Sequence, residues 1–371
     1  MKKTLMAGTA LVASGVLLAA ASGTASAQAK KAEKIKLGLG GYMEQWFGYS
    51  DQDLPGYTDV DQKSDSEIYI KGAVTLDNGI RFGVTWEIEG DSAPDAPADP
   101  TSNRFDEAYL FMSGSFGRLV MGEEDTASEL MGYGPSMVGP VGINKSDAND
   151  DWMHNNNSTN ITHSMDLGMS DNHAISYYSP RVAGFQFGAS YHPTNDNEAQ
   201  NETLETAAEH NGFSTAVNYV TKFGGTSVAA YFGVATKEES DAATAGTPDA
   251  SGWGTGVQVG FGGFAVGAAY VSENEIKSTD TFSVGGRYKA GMNAFSLGYV
   301  HAENRVSARP AGGPDNDETD IVSLGYERTL GPGVTWGSSI AYADHEVGGD
   351  DGTTTLDNEG IIIVTGIKLN F

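Results

Sequence analysis

"WGTGVQVGFGGFAVGAAYV", Trp253 to Val271, alternates twice. In its first half Trp253, Thr255, Val257, Val259 and Phe261 fall on one face; Gly254, Gly256, Gln258 and Gly260 fall on the other. After Gly262 the pattern restarts, with Phe264, Val266, Ala268 and Tyr270 opposing Ala265, Gly267 and Ala269. A period of two is a strand signal, and a glycine break between two such runs is a hairpin signal. "FSLGYV" (295–300) and "VTWGSSIAY" (334–342) repeat the pattern. One face is apolar with aromatics near its ends; the other is small or polar. In a soluble sandwich the apolar face would be core, and the second face would carry Lys and Glu. In a membrane barrel the apolar face meets lipid and the small, polar face lines the lumen. Gly, Ser and Ala on the second face favour the barrel.

The rest of the chain agrees. "MKKTLMAGTALVASGVLLAAASGTASAQ" has Lys2 and Lys3, an apolar run from Leu5 to Ala21, and Ala25-Ser26-Ala27. That is the layout of a cleaved export signal, residues 1–27, which leaves 28–371 as the mature chain. There is no cysteine, so no disulfide holds the exported protein together. The formal charge of −27 argues against nucleic acid as a partner. The mature part has no apolar run long enough for a membrane helix, which leaves a barrel open, because its signal is alternation.

Sixteen strands are expected: 34–49, 65–77, 80–90, 103–115, 118–124, 173–179, 181–192, 211–222, 226–236, 251–261, 263–272, 280–289, 292–303, 317–329, 333–344 and 358–371. Their joints alternate between tight and long. Asp77-Asn78-Gly79, Phe116-Gly117, Ser179-Pro180, Gly224-Gly225, Gly262, Ala290-Gly291 and Leu330-Gly331-Pro332 are tight turns. The long connections, such as "KEESDAATAGTPDAS" (237–251) and "DHEVGGDDGTTTLD" (344–357), are acidic. Short turns at one end and long loops at the other are the asymmetry of an outer-membrane barrel. Aromatics such as Phe116, Phe223 and Trp336 near short turns, and Tyr191, Trp253 and Tyr342 near long loops, form the two girdles expected at lipid–water boundaries.

One loop differs. After "GRLVMG" (117–122) a stretch of about fifty residues, 123–172, has no strand pattern. Leu130, Met131, Tyr133, Met137, Val138, Val141, Ile143, Trp152, Ile161 and Met165 make it too apolar for a free tail. It is expected to fold against the inner wall.

Three stretches carry a family resemblance over nearly the whole mature chain: the opening "KIKLGLGGYMEQWFGYS" (34–50), the hairpin "DEAYLFMSGSFGRLVMGEED" (106–125) and the terminal "GIKLNF" (366–371). With the leader, they resemble the general porins of Gram-negative bacteria, alphaproteobacterial type. The resemblance implies an all-β, sixteen-strand antiparallel transmembrane barrel, with the third long loop folded into the lumen as a constriction. It implies a homotrimer in the outer membrane, in contact with lipid and lipopolysaccharide. Phe371 would be the signal read by the barrel-assembly machinery. The loop's carboxylates would face basic residues on the opposite wall. Here the acids are Glu123, Glu124, Asp125, Glu129, Asp147, Asp150, Asp151, Asp166 and Asp171. The bases on lumen parity are Lys36, Lys71, Arg81 and Arg118, a sparser set than the family's usual arginine cluster. Arg287 and Lys368 share that parity nearer the short-turn end.

The expected function is a passive diffusion channel for small hydrophilic solutes and ions, weakly cation-preferring because lumen and loops are acidic. Opposed charges across a narrow wet gap would set a transverse field. Two alternatives are a solute-specific channel and an outer-membrane barrel hydrolase. The chain offers no HExxH pair, GxSxG elbow or P-loop, so no enzyme and no organic cofactor are expected. Acidic clusters at Asp315–Glu318 and Gly349–Gly352 could hold a divalent cation such as calcium, though without EF-hand spacing.

Overall fold

The computed structural model describes residues 34–90, 105–143, 152–154, 161–194, 209–239, 249–274, 277–306, 316–347 and 357–371. The expected leader, residues 1–27, lies outside them, as do Asp147, Asp150 and Asp151.

Among the described residues sixteen strands form one closed antiparallel barrel in sequence order. The first five are β1 (Lys36–Gln52), β2 (Val60–Thr75), β3 (Arg81–Glu89), β4 (Phe105–Gly114) and β5 (Gly117–Glu124). A four-residue helix, α1 (Ala127–Leu130), opens the long loop. There follow β6 (Asn172–Tyr178), β7 (Phe185–Thr194), β8 (Glu209–Phe223), β9 (Thr226–Glu239), β10 (Ala250–Phe261) and β11 (Phe264–Asn274). The last five are β12 (Lys277–Ala290), β13 (Asn293–Val306), β14 (Asn316–Gly331), β15 (Val334–Glu346) and β16 (Asn358–Asn370).

The alternation that opened the sequence becomes the β10–β11 hairpin, with Phe261 opposite Phe264. Gly262 and Gly263 both take positive φ, +53° and +93°. That is the two-residue turn whose twist suits adjoining strands. The seam is closed by β1 and β16, paired from Tyr42↔Asn370 to Gln52↔Gly360. The Gly41 N–H donates to the Phe371 carbonyl (2.9 Å) and the Phe371 N–H to Gly41 (3.0 Å), so the terminal residue joins the ladder's end. No strand edge is left open, which removes the aggregation hazard of the apolar last strand.

Two boundaries depart from the expected ones by more than three residues. β2 begins at Val60, five residues ahead of the expected 65, because pairing with β1 carries its polar start as far as Tyr49↔Val60. β7 begins at Phe185 rather than 181. Ala183 and Gly184 have positive φ and a Val182↔Phe185 bridge closes a two-residue turn there, past the expected turn at Ser179-Pro180.

Outward positions are exposed and apolar, as at Leu39, Phe47, Ile175, Leu324, Ile340 and Ile363. So much contiguous apolar surface marks contact with a non-aqueous surround. The buried residues lie inside the barrel, in three clusters that each join loop to wall. Val141, Ile143, Trp152, Met153 and Ile161 pack on Val300, Ile321, Ile362 and Val364. Met165, Leu167 and Met169 pack on Ala235, Ala250 and Val271. Ala127 and Met131 pack on Val120, Tyr178 and Ala216. Burying side chains the size of Ile143 or Met165 stabilises by about 1.5–3 kcal/mol each.

Candidate functional site: the barrel lumen

The loop after β5 follows a track of small and polar side chains on the inner wall. Thr126 caps α1, its hydroxyl accepting from the Glu129 N–H (3.3 Å). The Ala127 N–H donates to Ser190 Oγ on β7 (3.1 Å) and the Ser128 N–H to Ser214 Oγ on β8 (3.0 Å). Asn218 Nδ2 donates to the Met131 carbonyl (3.2 Å) and Gln258 Nε2 to that of Gly134 (3.2 Å). Farther round, Ser296 Oγ accepts from the Val138 N–H (3.1 Å), and Ser339 Oγ from the Val141 N–H (3.1 Å). The Ser323 hydroxyl donates to the Val141 carbonyl (2.6 Å). Trp152 then lies against Gly48 of β1, and the His154 N–H reaches Gln52 Oε1 (3.0 Å). The returning segment is held by Tyr231 OH on the His163 carbonyl (3.0 Å) and Lys237 Nζ on that of Leu167 (2.9 Å). An irregular buried backbone needs such partners, and the wall's Ser, Asn and Gln side chains supply them. Glycines bring the two backbones into contact: a Cβ at Gly256 would overlap the Tyr133 carbonyl, and one at Gly325 that of Val138.

The loop therefore covers the wall from β7 round to β16 and touches the far end of β1. The inner face of β1–β5 carries most of the charge that sequence reasoning singled out. Lys36 is exposed at the start of β1. Lys71 pairs with Glu87 on β3 and sits over the Tyr69 ring (4.3 Å). Arg81, at the start of β3, lies 5.9 Å from the Phe111 ring. Arg118 holds Glu124 (3.1 Å) and stacks near Phe111 (5.0 Å) and Tyr109 (5.5 Å).

The acids are dispersed. Glu124 is 1% exposed and faces inward against Arg118. Asp125 is buried where the loop begins. Glu129 accepts a hydrogen bond from Ser170, joining the loop's two limbs. Asp166 Oδ1 accepts from the Gly168 N–H (2.9 Å), shaping a local turn. Asp171, just before β6, takes a positive φ of 60°. Glu123 is buried beside Glu124 at the end of β5 and lies 3.5 Å from His173 Nδ1.

Sequence reasoning missed a row of wall carboxylates. Glu67 on β2, Glu87 on β3 and Glu107 on β4 share inward parity, with Glu87 directly opposite Glu107. Glu44 on β1 binds Lys368 of β16. The parity test that placed Lys71 and Arg81 would have found them, since Glu67 lies four residues from Lys71 and Glu87 six from Arg81. The wall is thus of mixed sign, and several bases are neutralised by neighbours on the same wall. In the loop, burial pushes the His163 imidazole down to about 4, partly opposed by the Ile143 backbone. Among the described residues no group of three or more His, Asp or Glu is arranged to hold a metal.

The barrel has counterparts among solved structures. A refined porin structure covers 91% of this chain and 100% of its own at 18% identity, TM-score 0.59. An anion-selective porin from Comamonas acidovorans does so at 17% identity and TM-score 0.60. A loop-deletion mutant of OmpT, an outer membrane protein of Vibrio cholerae, does so at 14% and 0.59. These likenesses concern the fold. No curated protein sequence matches the chain. The family model for Gram-negative porins matches residues 12–348, and on that match the chain belongs to the Gram-negative porin family.

Proposed function

We propose that this porin is a passive diffusion channel for small hydrophilic solutes and ions, weakly cation-preferring, with residues 123–172 as its constriction. Family and fold point to an outer-membrane diffusion channel rather than an enzyme. The observation that carries the finer reading is the loop seated on the inner wall from β7 to β16, opposite the charged wall of β2–β5. The formal charge of −27 and the acidic long connections support cation preference, since fixed carboxylates enrich counterions in a low-dielectric surround. Conductance in planar bilayers under a salt gradient tests both parts. A reversal potential of cationic sign is expected; an anionic sign overturns the preference, and insertion without conductance overturns the channel.

Three further parts belong to the same reading: a cleaved leader at 1–27, association as a homotrimer, and contact with lipid and lipopolysaccharide. A heat-modifiable, detergent-resistant band of three times the monomer mass tests the trimer. Phe371 is read as the assembly signal, supported by its exposed ring beside the β1–β16 seam. Removing it should lower the yield of assembled barrel in cells and leave the conductance of assembled channels unchanged. A divalent cation at the acidic loops completes the reading, and chelator should then lower the melting temperature of the assembled protein.

A further inference from the structure

Charge is distributed unevenly along the axis of the lumen. At the short-turn end, inward positions carry Arg81 at the start of β3, Lys222 next to the end of β8, and Arg287 and Lys289 near the end of β12. All four are exposed, and none makes an ion pair among the described residues. Arg181 in the β6–β7 turn adds a fifth, donating to the Gly184 carbonyl (2.7 Å) and to Gln186 Oε1 (2.8 Å). The strands concerned run from β3 to β12, so the charges are spread over rather more than half of the mouth's circumference. The carboxylates near that end are Asp77 in the β2–β3 turn, Glu327, which accepts from the Gly139 N–H (3.2 Å), and Glu44, which is bound to Lys368.

The balance inverts toward the long-loop end. Glu67, Glu87, Glu107 and Glu124 face inward on four consecutive strands, and Glu273 and Asp317 do so on β11 and β14. Lys71 meets Glu87 there and Arg118 reaches Glu124 (3.1 Å), while Lys63 pairs with Asp61 (2.9 Å) and Lys237 holds the loop; the inward acids still outnumber these four bases.

We propose that the channel is electrically bipolar, acid-lined at its external mouth and base-lined at its periplasmic mouth, and that it therefore rectifies ionic current. The proposal rests on the channel reading above. Each zone enriches its counterion wherever the lumen wall lies within about a Debye length of the axis, ~10 Å at 0.1 M salt. With the loop side positive, cations enter through the acidic zone and anions through the basic zone. Both accumulate between the zones and conductance rises. The opposite polarity draws both out and conductance falls.

The test is the current–voltage curve of single channels in symmetric salt. The chain has no cysteine, so Thr58→Cys in the β1–β2 loop, treated from one chamber with an impermeant thiol reagent, reports orientation. At ~0.1 M salt the current with the loop side positive should exceed the reverse by about 1.5-fold or more. The ratio should approach one at ~1 M, where the screening length is ~3 Å. Lys222→Gln, Arg287→Gln and Lys289→Gln together should remove more than half of the asymmetry; Lys222→Arg, Arg287→Lys and Lys289→Arg together should keep it. Equal currents at low salt, or an asymmetry unchanged by the glutamine variant, overturn the proposal. A channel that conducts symmetrically removes the polarity alone, whereas a chain that inserts and passes no current removes the channel reading with it.

Discussion

Arg118 and Glu124 lie on one strand, 3.1 Å apart at their charged tips, with Glu124 almost fully buried. A buried pair contributes little against an apolar substitute, but removing one partner strands the other. Arg118→Ala should therefore destabilise the barrel by about 3–5 kcal/mol, and Arg118→Met with Glu124→Leu should recover most of that loss. Denaturant unfolding in detergent, followed by tryptophan fluorescence, reads both. His163 gives a second prediction at this scale. Its folded pKa of about 4 lies below the usual 6.5, so the unfolded chain takes up its proton first as pH falls. Its contribution is complete above pH 6.5 and is lost as pH falls toward 4, by at most about 3 kcal/mol. Melting temperature should drop between pH 7 and 4, and His163→Gln should flatten the part of the curve below pH 6.5.

Among the elements, the loop and the wall depend on each other. The loop's backbone is satisfied by Ser190, Ser214, Ser296, Ser323 and Ser339, and glycines admit its carbonyls. Gly325→Val would place a branched side chain where the Val138 carbonyl now lies. Overpacking of this kind costs about 1–3 kcal/mol, and here relief comes from lifting the loop off the wall. The barrel should still form, while conductance changes by a factor of two or more; an unchanged conductance would mean that the loop does not limit flow. The same residues explain what the alternation could and could not convey. Gly325 and Ser323 were legible as a small, polar face; that this face is a seat for residues 138–141 was not, because those contacts join positions nearly two hundred residues apart.

On the scale of the whole molecule, the barrel is turned out relative to a soluble domain. Apolar side chains such as Leu39 and Ile363 point outward, and the buried clusters lie between the loop and the inner wall. Ile363→Lys should cost about 2–4 kcal/mol if it lies near the bilayer midplane and should reduce the fraction folded into vesicles. Thr58→Lys, in an exposed loop at the rim, should do neither.

By itself the sequence determined the class, the sixteen strands and their order, and which face of each strand meets lipid. Those properties are local: a period of two, a turn residue and an aromatic at a boundary are all written within about ten residues. Only the tertiary structure decided the pairing of charges. Lys71 meets Glu87 because the β2–β3 register brings them together, and Arg118 reaches Glu124 along β5. Register, closure and loop seating are agreements between distant segments, and an ion pair depends on all three, so its partners are fixed only when the barrel is closed.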